Sequence, residues 1–191
     1  ESLIAQIRDA GAFLVPNLGL GELRRERVAD DPFLRETTQP DVSARLGEAY
    51  DARQPSSGNA GELAASAAER ERALSEAFSR LVAGGVDIVL GTDAGALPGH
   101  FFGYTGHREL EIFVRLGMSP MQAIVAGTSR PAERLGLSEM GTLAAGKTAD
   151  FVILDENPLE DIRNTRTISQ VYLRGRVVDR EALRMRWEGG D

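Results

Sequence analysis

The chain has 191 residues, 42% of them hydrophobic and 27% charged, with a formal net charge of −7 and no cysteine. That length favours one domain, or one domain with a small appendage, and the composition is that of a globular protein with a real core. The acidic balance excludes a general nucleic-acid binder, which needs basic surface against phosphates. The lack of cysteine excludes disulfide scaffolds and thiolate zinc sites and fits a reducing cytosol.

The opening "ESLIAQIRDAG" shows Leu3, Ile4 and Ile7 at helical spacing, stopped by Gly11. It has no basic region followed by an apolar one, so no signal peptide is read, and a cytoplasmic location is expected. It also has no initiator Met, which leads us to expect that residues precede Glu1 in the natural protein. "AFLVPNL" then reads as a buried strand with Pro16 near its end. From Gly19 to Gly61 the composition turns polar, and Pro32, Pro40 and "QPSSGNAG" break any long period. This stretch predicts an excursion of loops and short helices, either a lid or binding loop or a surface insertion.

A helix is predicted over Glu62–Ala83, with Leu63, Ala67, Leu74, Phe78, Leu81 and Val82 along one stripe and Glu and Arg on the other face. Gly84-Gly85 ends it, and "VDIVL" begins at once, an αβ unit whose strand is buried on both faces. After a Gly-rich loop, "GMSPMQAIVAGT" carries a capping box from Ser119 to Gln122, with Pro120 at the first helical position. "SRPAERLG" is a second short helix closed by Gly136. "GTLAAGKTADFVILD" and "ISQVYLRGRVVD" then predict a small antiparallel β unit with tight glycine turns, and "DREALRMRWEGGD" a terminal helix. "EDIRNTR" reads as a loop with its charges in water, and Trp187 as packing on the β unit. No apolar run approaches the ~20 residues that span a bilayer.

The residues with chemistry cluster after "VDIVL". In an α/β barrel the functional groups sit at the C-terminal ends of the parallel strands. Asp93, in "GTDAG", stands three residues past Leu90 at such an end. A carboxylate there can ligate a cation such as Zn²⁺ or take a proton from water, and it can equally cap turn N–H groups. The motif alone leaves both roles open.

"GTDAG", "HRELEIFVRLGMSPMQAIVAGTSRPAERLGL", "GTLAAGKTADFVILDENPLEDI" and "VYLRGRVV", in that order, resemble the C-terminal portion of the amidohydrolase superfamily. The likeness is greatest to its imidazolonepropionase-like and prolidase-like branch. It runs from Val86 to about Glu181 and extends loosely back to "IRDAGAFLVPNL", where Asn17 stands in place of the family's usual Thr. The resemblance implies an α/β fold: the C-terminal part of a (β/α)₈ TIM-like barrel of a metal-dependent hydrolase, plus part of a small composite β-sandwich. Its segments would be barrel over residues 1–137, β-sandwich over 138–180 and a helical tail over 181–191. It implies one or two divalent metals, zinc foremost, with Asp93 both as metal ligand and as the group that shuttles a proton from water to the leaving group. The family's first-strand His-x-His, central lysine and later ligand histidines have no counterparts among these residues, so this chain is expected to be the C-terminal segment of the enzyme and inactive alone.

His100 and His107, the two histidines, and Tyr104 lie in the loop and helix start after Asp93. In the family layout they would lie over the barrel mouth as substrate-lining groups, with surface or capping roles as the alternative. The expected reaction is hydrolysis of amide or peptide C–N bonds. The alternatives are cyclic-amide or imidazolone hydrolysis, deamination, and a non-catalytic subunit that keeps the fold. Expected partners are a small-molecule amide or dipeptide-like substrate and the N-terminal half of the enzyme, with neither nucleic acid nor membrane; homo-oligomerisation is left open.

Overall fold

The computed structural model describes residues 2–22, 27–52, 60–96 and 99–188. Helix α1, Leu3–Asp9, starts where the Ser2 hydroxyl accepts the Ala5 N–H, and it ends at Gly11, whose φ is +65°. Strand β1, Phe13–Leu14, follows. Short helices then run through the polar excursion: α2 (Gly19–Glu22), a 3₁₀ turn (Val28–Asp30), α3 (Pro32–Thr37) and α4 (Pro40–Asp51). The long helix α5, Ala60–Ala83, leads through the glycine pair into β2, Asp87–Ile88. Gly84 has no room for a side chain, because a Cβ there would lie 2.3 Å from Ile4 Cγ2 of α1. Helices α6 (Tyr104–Arg115), α7 (Pro120–Gly127) and α8 (Ser129–Arg134) come next. The capping box on α7 forms as its sequence predicts, with Ser119 and Gln122 each bonding the other's backbone N–H.

Strands β1 and β2 pair in parallel, Phe13 opposite Asp87 and Leu14 opposite Ile88. The main core lies beneath them, where Phe78 of α5 and Ile112, Phe113 and Leu116 of α6 pack with Val86 and Ile88. The "AFLVPNL" strand departs from its reading as buried: Phe13 is 44% and Val15 41% exposed. β1 has β2 on one flank and no second neighbour among the described strands, so its outward side chains face solvent. Asp87 pairs with Arg134 of α8, whose guanidinium also lies over the Phe13 ring at 6.0 Å.

The described part of the excursion consists of short helices, as expected, and α3, α4 and the 3₁₀ turn join Phe101 and Tyr104 in a second small core. Leu34, fully buried, packs with Val28 and with Tyr104 from α6. Residues past β2 supply the antiparallel sheet of β3 (Phe151–Leu154), β4 (Ile168–Leu173) and β5 (Arg176–Val177), in the order β3-β4-β5. Arg174 and Gly175, both at positive φ, make the two-residue turn between β4 and β5, which matches the right-handed twist of the strands. Phe151 and Tyr172 stack across the β3–β4 pair with centroids 4.5 Å apart. The terminal helix α9 is Arg180–Glu188, and the Trp187 side chain lies outside what the structure describes.

"EDIRNTR" is only half as it reads in sequence. It forms a 3₁₀ helix, Ile162–Arg166, in which Ile162 and Thr165 are buried. Arg163 faces water and pairs with Asp161, but Arg166 turns inward. Its guanidinium bonds Asp31 at 2.8 Å, pairs with Glu111 at 2.5 Å and lies over the Phe33 ring at 5.3 Å. One cation thus joins the excursion, α6 and the segment between β3 and β4. Removing a partner from a largely buried pair leaves charge uncompensated, at a cost of about 3 kcal/mol. Arg166→Ala is therefore expected to lower the urea midpoint by that order of stability, while Arg163→Ala on the same short helix should leave it nearly unchanged. Equal effects of the two variants would show that Arg166 does not tie these elements together.

Candidate functional site

The C-terminal ends of β1 and β2 lie side by side. Past the strands Val89 N–H still donates to Leu14 O of β1 at 2.9 Å, and Leu90 N–H then donates to Ala126 O of α7 at 2.8 Å. Beyond these bonds the two chain exits repeat one device. Asn17 after β1 and Asp93 after β2 both adopt left-handed backbone, φ +47° and +52°. Asn and Asp tolerate that region because their short polar side chains support it locally. Between them sits Gly91, where a Cβ would fall 2.2 Å from Val15 Cγ1 and 2.7 Å from Asn17 Oδ1. The glycine is required by close approach of the two exits.

Asp93 is exposed, and among the described residues its carboxylate has no hydrogen-bond or ion-pair partner. Its backbone does the turn work instead. Asp93 O accepts the Ala96 N–H at 3.2 Å, Thr92 Oγ1 accepts the Ala94 N–H at 3.2 Å, and Gly95 N–H donates to His100 O at 2.8 Å. The turn is capped by Thr92 and by main chain, and the Asp93 side chain takes no part in it.

Glu109 of α6, which the sequence reading passed over, lies beside the exit of β1. It is fully buried, and its two oxygens accept the N–H groups of Leu18 and Gly19, each at 2.7 Å. Burial pushes its carboxyl up, and the two backbone bonds pull the other way. The available signal was its place on the apolar stripe of α6, in step with Ile112, Phe113 and Leu116.

The other expected site residues are placed differently. Tyr104 is buried, and its hydroxyl donates to Asp31 Oδ2 at 2.9 Å. Burial and that carboxylate push the phenol well up. Burial alone would raise Asp31, but the bonds from Arg166 and Tyr104 outweigh it and hold the carboxyl low. His107 shares a 3.0 Å hydrogen bond between Nδ1 and Thr165 Oγ1 and meets the Phe33 ring edge-on at 5.0 Å. Burial, helped by the Arg166 charge, takes its pKa down to about 4, so the ring is neutral near pH 7. His100 is buried in the loop that follows Asp93. Tyr104 and His107 are thus brought together with Asp31 and Arg166, and neither shares a contact with Asp93.

A zinc ion bound by side chains needs three or four donors. Among the described residues no three or more His, Cys, Asp or Glu side chains could share one ion. Asp93 fits as one oxygen ligand by its chemistry and exposure, and it does not make a site alone. No described helix is long and apolar enough to cross a membrane.

Comparison with known proteins puts this geometry in context. An adenine deaminase of Clostridium perfringens is 44% identical over 75 residues, which are 38% of this chain and 12% of that protein. An imidazolonepropionase of Deinococcus radiodurans is 33% identical over 100 residues, 50% of this chain and 25% of that protein. The structure of a Xaa-Pro dipeptidase with methionine in its active site superposes with a TM-score of 0.61 at 26% identity, covering 93% of this chain and 37% of that one. The chain therefore spans between 12% and 37% of the length of these three relatives. The α/β fold matches amidohydrolase structures, whose family consists of hydrolytic enzymes that generally use divalent metals. The model of the amidohydrolase family matches residues 41–178, most of the chain and all of the segment from β2 through the antiparallel sheet. On that match, the chain belongs to the amidohydrolase family.

Proposed function

We propose that this chain carries the Asp93 end of the active site of a metal-dependent hydrolase of C–N bonds, with amide or peptide bonds as the first substrate class. The observation that supports it is the exposed, unpartnered Asp93 carboxylate at the exit of β2, inside the segment that the family model matches. In this reading β1 and β2 are neighbouring strands of a (β/α)₈ barrel, and β3–β5 form part of a composite sandwich. The other ligands of one or two divalent ions, zinc foremost, lie outside the described residues, in the N-terminal half of the enzyme. The lack of cysteine suits a reducing, cytoplasmic setting.

When bound, a divalent ion supplies a Lewis acid that lowers the pKa of the attacking water. With such an ion in place, Asp93 would offer it one ligand oxygen and would accept a proton from the attacking water. The water oxygen forms its bond to the substrate carbon, the C–N bond breaks, and Asp93 returns the proton to the departing nitrogen. The buried network of Tyr104, Asp31, Arg166 and His107 ties α6 to the polar excursion and to the 3₁₀ helix before β4. The names of the curated relatives favour a second reading, hydrolysis of a cyclic amide or deamination, in which the same carboxylate serves the same proton transfer.

In the complete enzyme, Asp93→Asn is expected to lower kcat/KM by ~10²-fold or more with the thermal midpoint unchanged. Dipeptides, acyl-amino acids, cyclic amides and adenine make up the assay panel. Wild-type turnover by the variant would remove Asp93 from the chemistry, and no turnover of any compound by the parent would remove the substrate reading. Dialysis against a chelator should abolish turnover and Zn²⁺ should restore it. Activity that survives complete removal of divalent metal contradicts the metal reading.

A further inference from the structure

Three features around Asp93 do not belong to the proposed chemistry, yet they form one contact path. Glu109 is a carboxylate with no exposed surface, fixed to the Leu18 and Gly19 N–H groups by two 2.7 Å bonds. Asn17, the residue before this clamp, is held in left-handed backbone, and its Oδ1 is buried without a hydrogen-bond partner. That oxygen lies 2.7 Å from where a Cβ of Gly91 would stand, and Gly91 begins the turn that presents Asp93.

Each feature is individually unfavourable. Burying a carboxylate in an apolar core, leaving a buried amide oxygen unsatisfied and holding a non-glycine residue at positive φ all cost stability. They fall on one contiguous path from the core of α6 to the β2 exit. Backbone strain and orphaned polar atoms persist where the surroundings over-determine them, and such places cluster at functional sites.

We propose that Asn17 and Glu109 are positioning residues for the Asp93 carboxylate. Glu109 fixes the main chain after β1, that main chain sets the Asn17 side chain against Gly91, and the packed Gly91 backbone fixes the direction in which Asp93 leaves the strand. Neither residue touches substrate or ion. Glu109 works on the backbone of Leu18 and Gly19, and Asn17 works by occupying the space that the absent Gly91 side chain leaves open. The inference rests on the reading of Asp93 as a metal ligand.

The test uses the complete enzyme and measures its affinity for Zn²⁺ by competition with a chromophoric chelator, alongside its thermal midpoint. Asn17→Gly relieves the left-handed strain and removes the wedge. It is expected to keep or raise the midpoint while weakening Zn²⁺ binding by about tenfold or more, in the range found for groups that orient metal ligands. A residue with only a structural role moves affinity and stability together, so the split is diagnostic. Glu109→Gln keeps one acceptor and is expected to weaken Zn²⁺ binding as well. In an Asp93→Asn background neither substitution should weaken binding further, because each acts through that carboxylate. Wild-type Zn²⁺ affinity in Asn17→Gly overturns the proposal, as does an equal loss in the Asp93→Asn background. If Asp93→Asn itself binds Zn²⁺ like the parent, the metal-ligand reading fails, and the proposal built on it fails too. If Asp93→Asn weakens binding and Asn17→Gly does not, only the positioning role is lost.

Discussion

A carboxylate buried among apolar side chains must find hydrogen bonds, and the pair that Glu109 finds decides how α6 lies beneath the parallel strands. Ile112, Phe113 and Leu116 give α6 its adhesion to the core, but apolar contact is not directional and would tolerate sliding of the helix along its axis. Two 2.7 Å bonds from successive backbone N–H groups do not tolerate it. The register of α6 against the exit of β1 is thereby set. Tyr104 and His107, both in the first turn of that same helix, then fall where Asp31, Thr165 and Arg166 can meet them.

The parts of the fold that were legible in the sequence are those fixed by local chemistry. Gly84-Gly85 announced the turn into β2, Ser119 with Pro120 and Gln122 announced the start of α7, and Gly175 announced the hairpin between β4 and β5. What stayed hidden depends on partners far along the chain. Glu109 bonds residues 90 and 91 positions away, and Arg166 bonds one 135 positions away. Nothing beside Arg166 distinguishes it from Arg163, and only the arrival of Asp31, Glu111 and the Phe33 ring turns one inward and leaves the other in water. The same long reach explains Tyr104. In sequence its hydroxyl reads as available to a ligand, and in the fold it is spent on a carboxylate of the polar excursion.

The excursion reads in sequence as broken and polar, yet it contributes the most deeply buried leucine of its region. Leu34 of α3 is fully buried because Val28 of the 3₁₀ turn and Leu46 of α4 pack around it while Tyr104 meets it from α6. Prolines at 32 and 40 break long periodicity, and in the structure both start helices, at α3 and α4. A breaker in the sequence pattern is thus an initiator in the fold. By contrast, β1 is less buried than its apolar run suggests, because only the face with Leu14 packs on the main core while Phe13 and Val15 point to the other face.

At the candidate site the sequence showed position but not commitment. Asp in a tight turn after a strand is usually spent on capping. Here the capping falls to the Thr92 hydroxyl and to main-chain oxygens, including those of Asp93 and His100, so the Asp93 side chain is surplus to the turn. A surplus carboxylate on left-handed backbone carries a conformational cost of about 1 kcal/mol that the turn does not need, since glycine would serve there without it. Asn17 repeats the same cost at the adjoining strand exit, against a glycine that has no room to be anything else. Two non-glycine residues thus stand in left-handed backbone at the adjoining C-terminal ends of parallel strands, each where glycine would carry less strain.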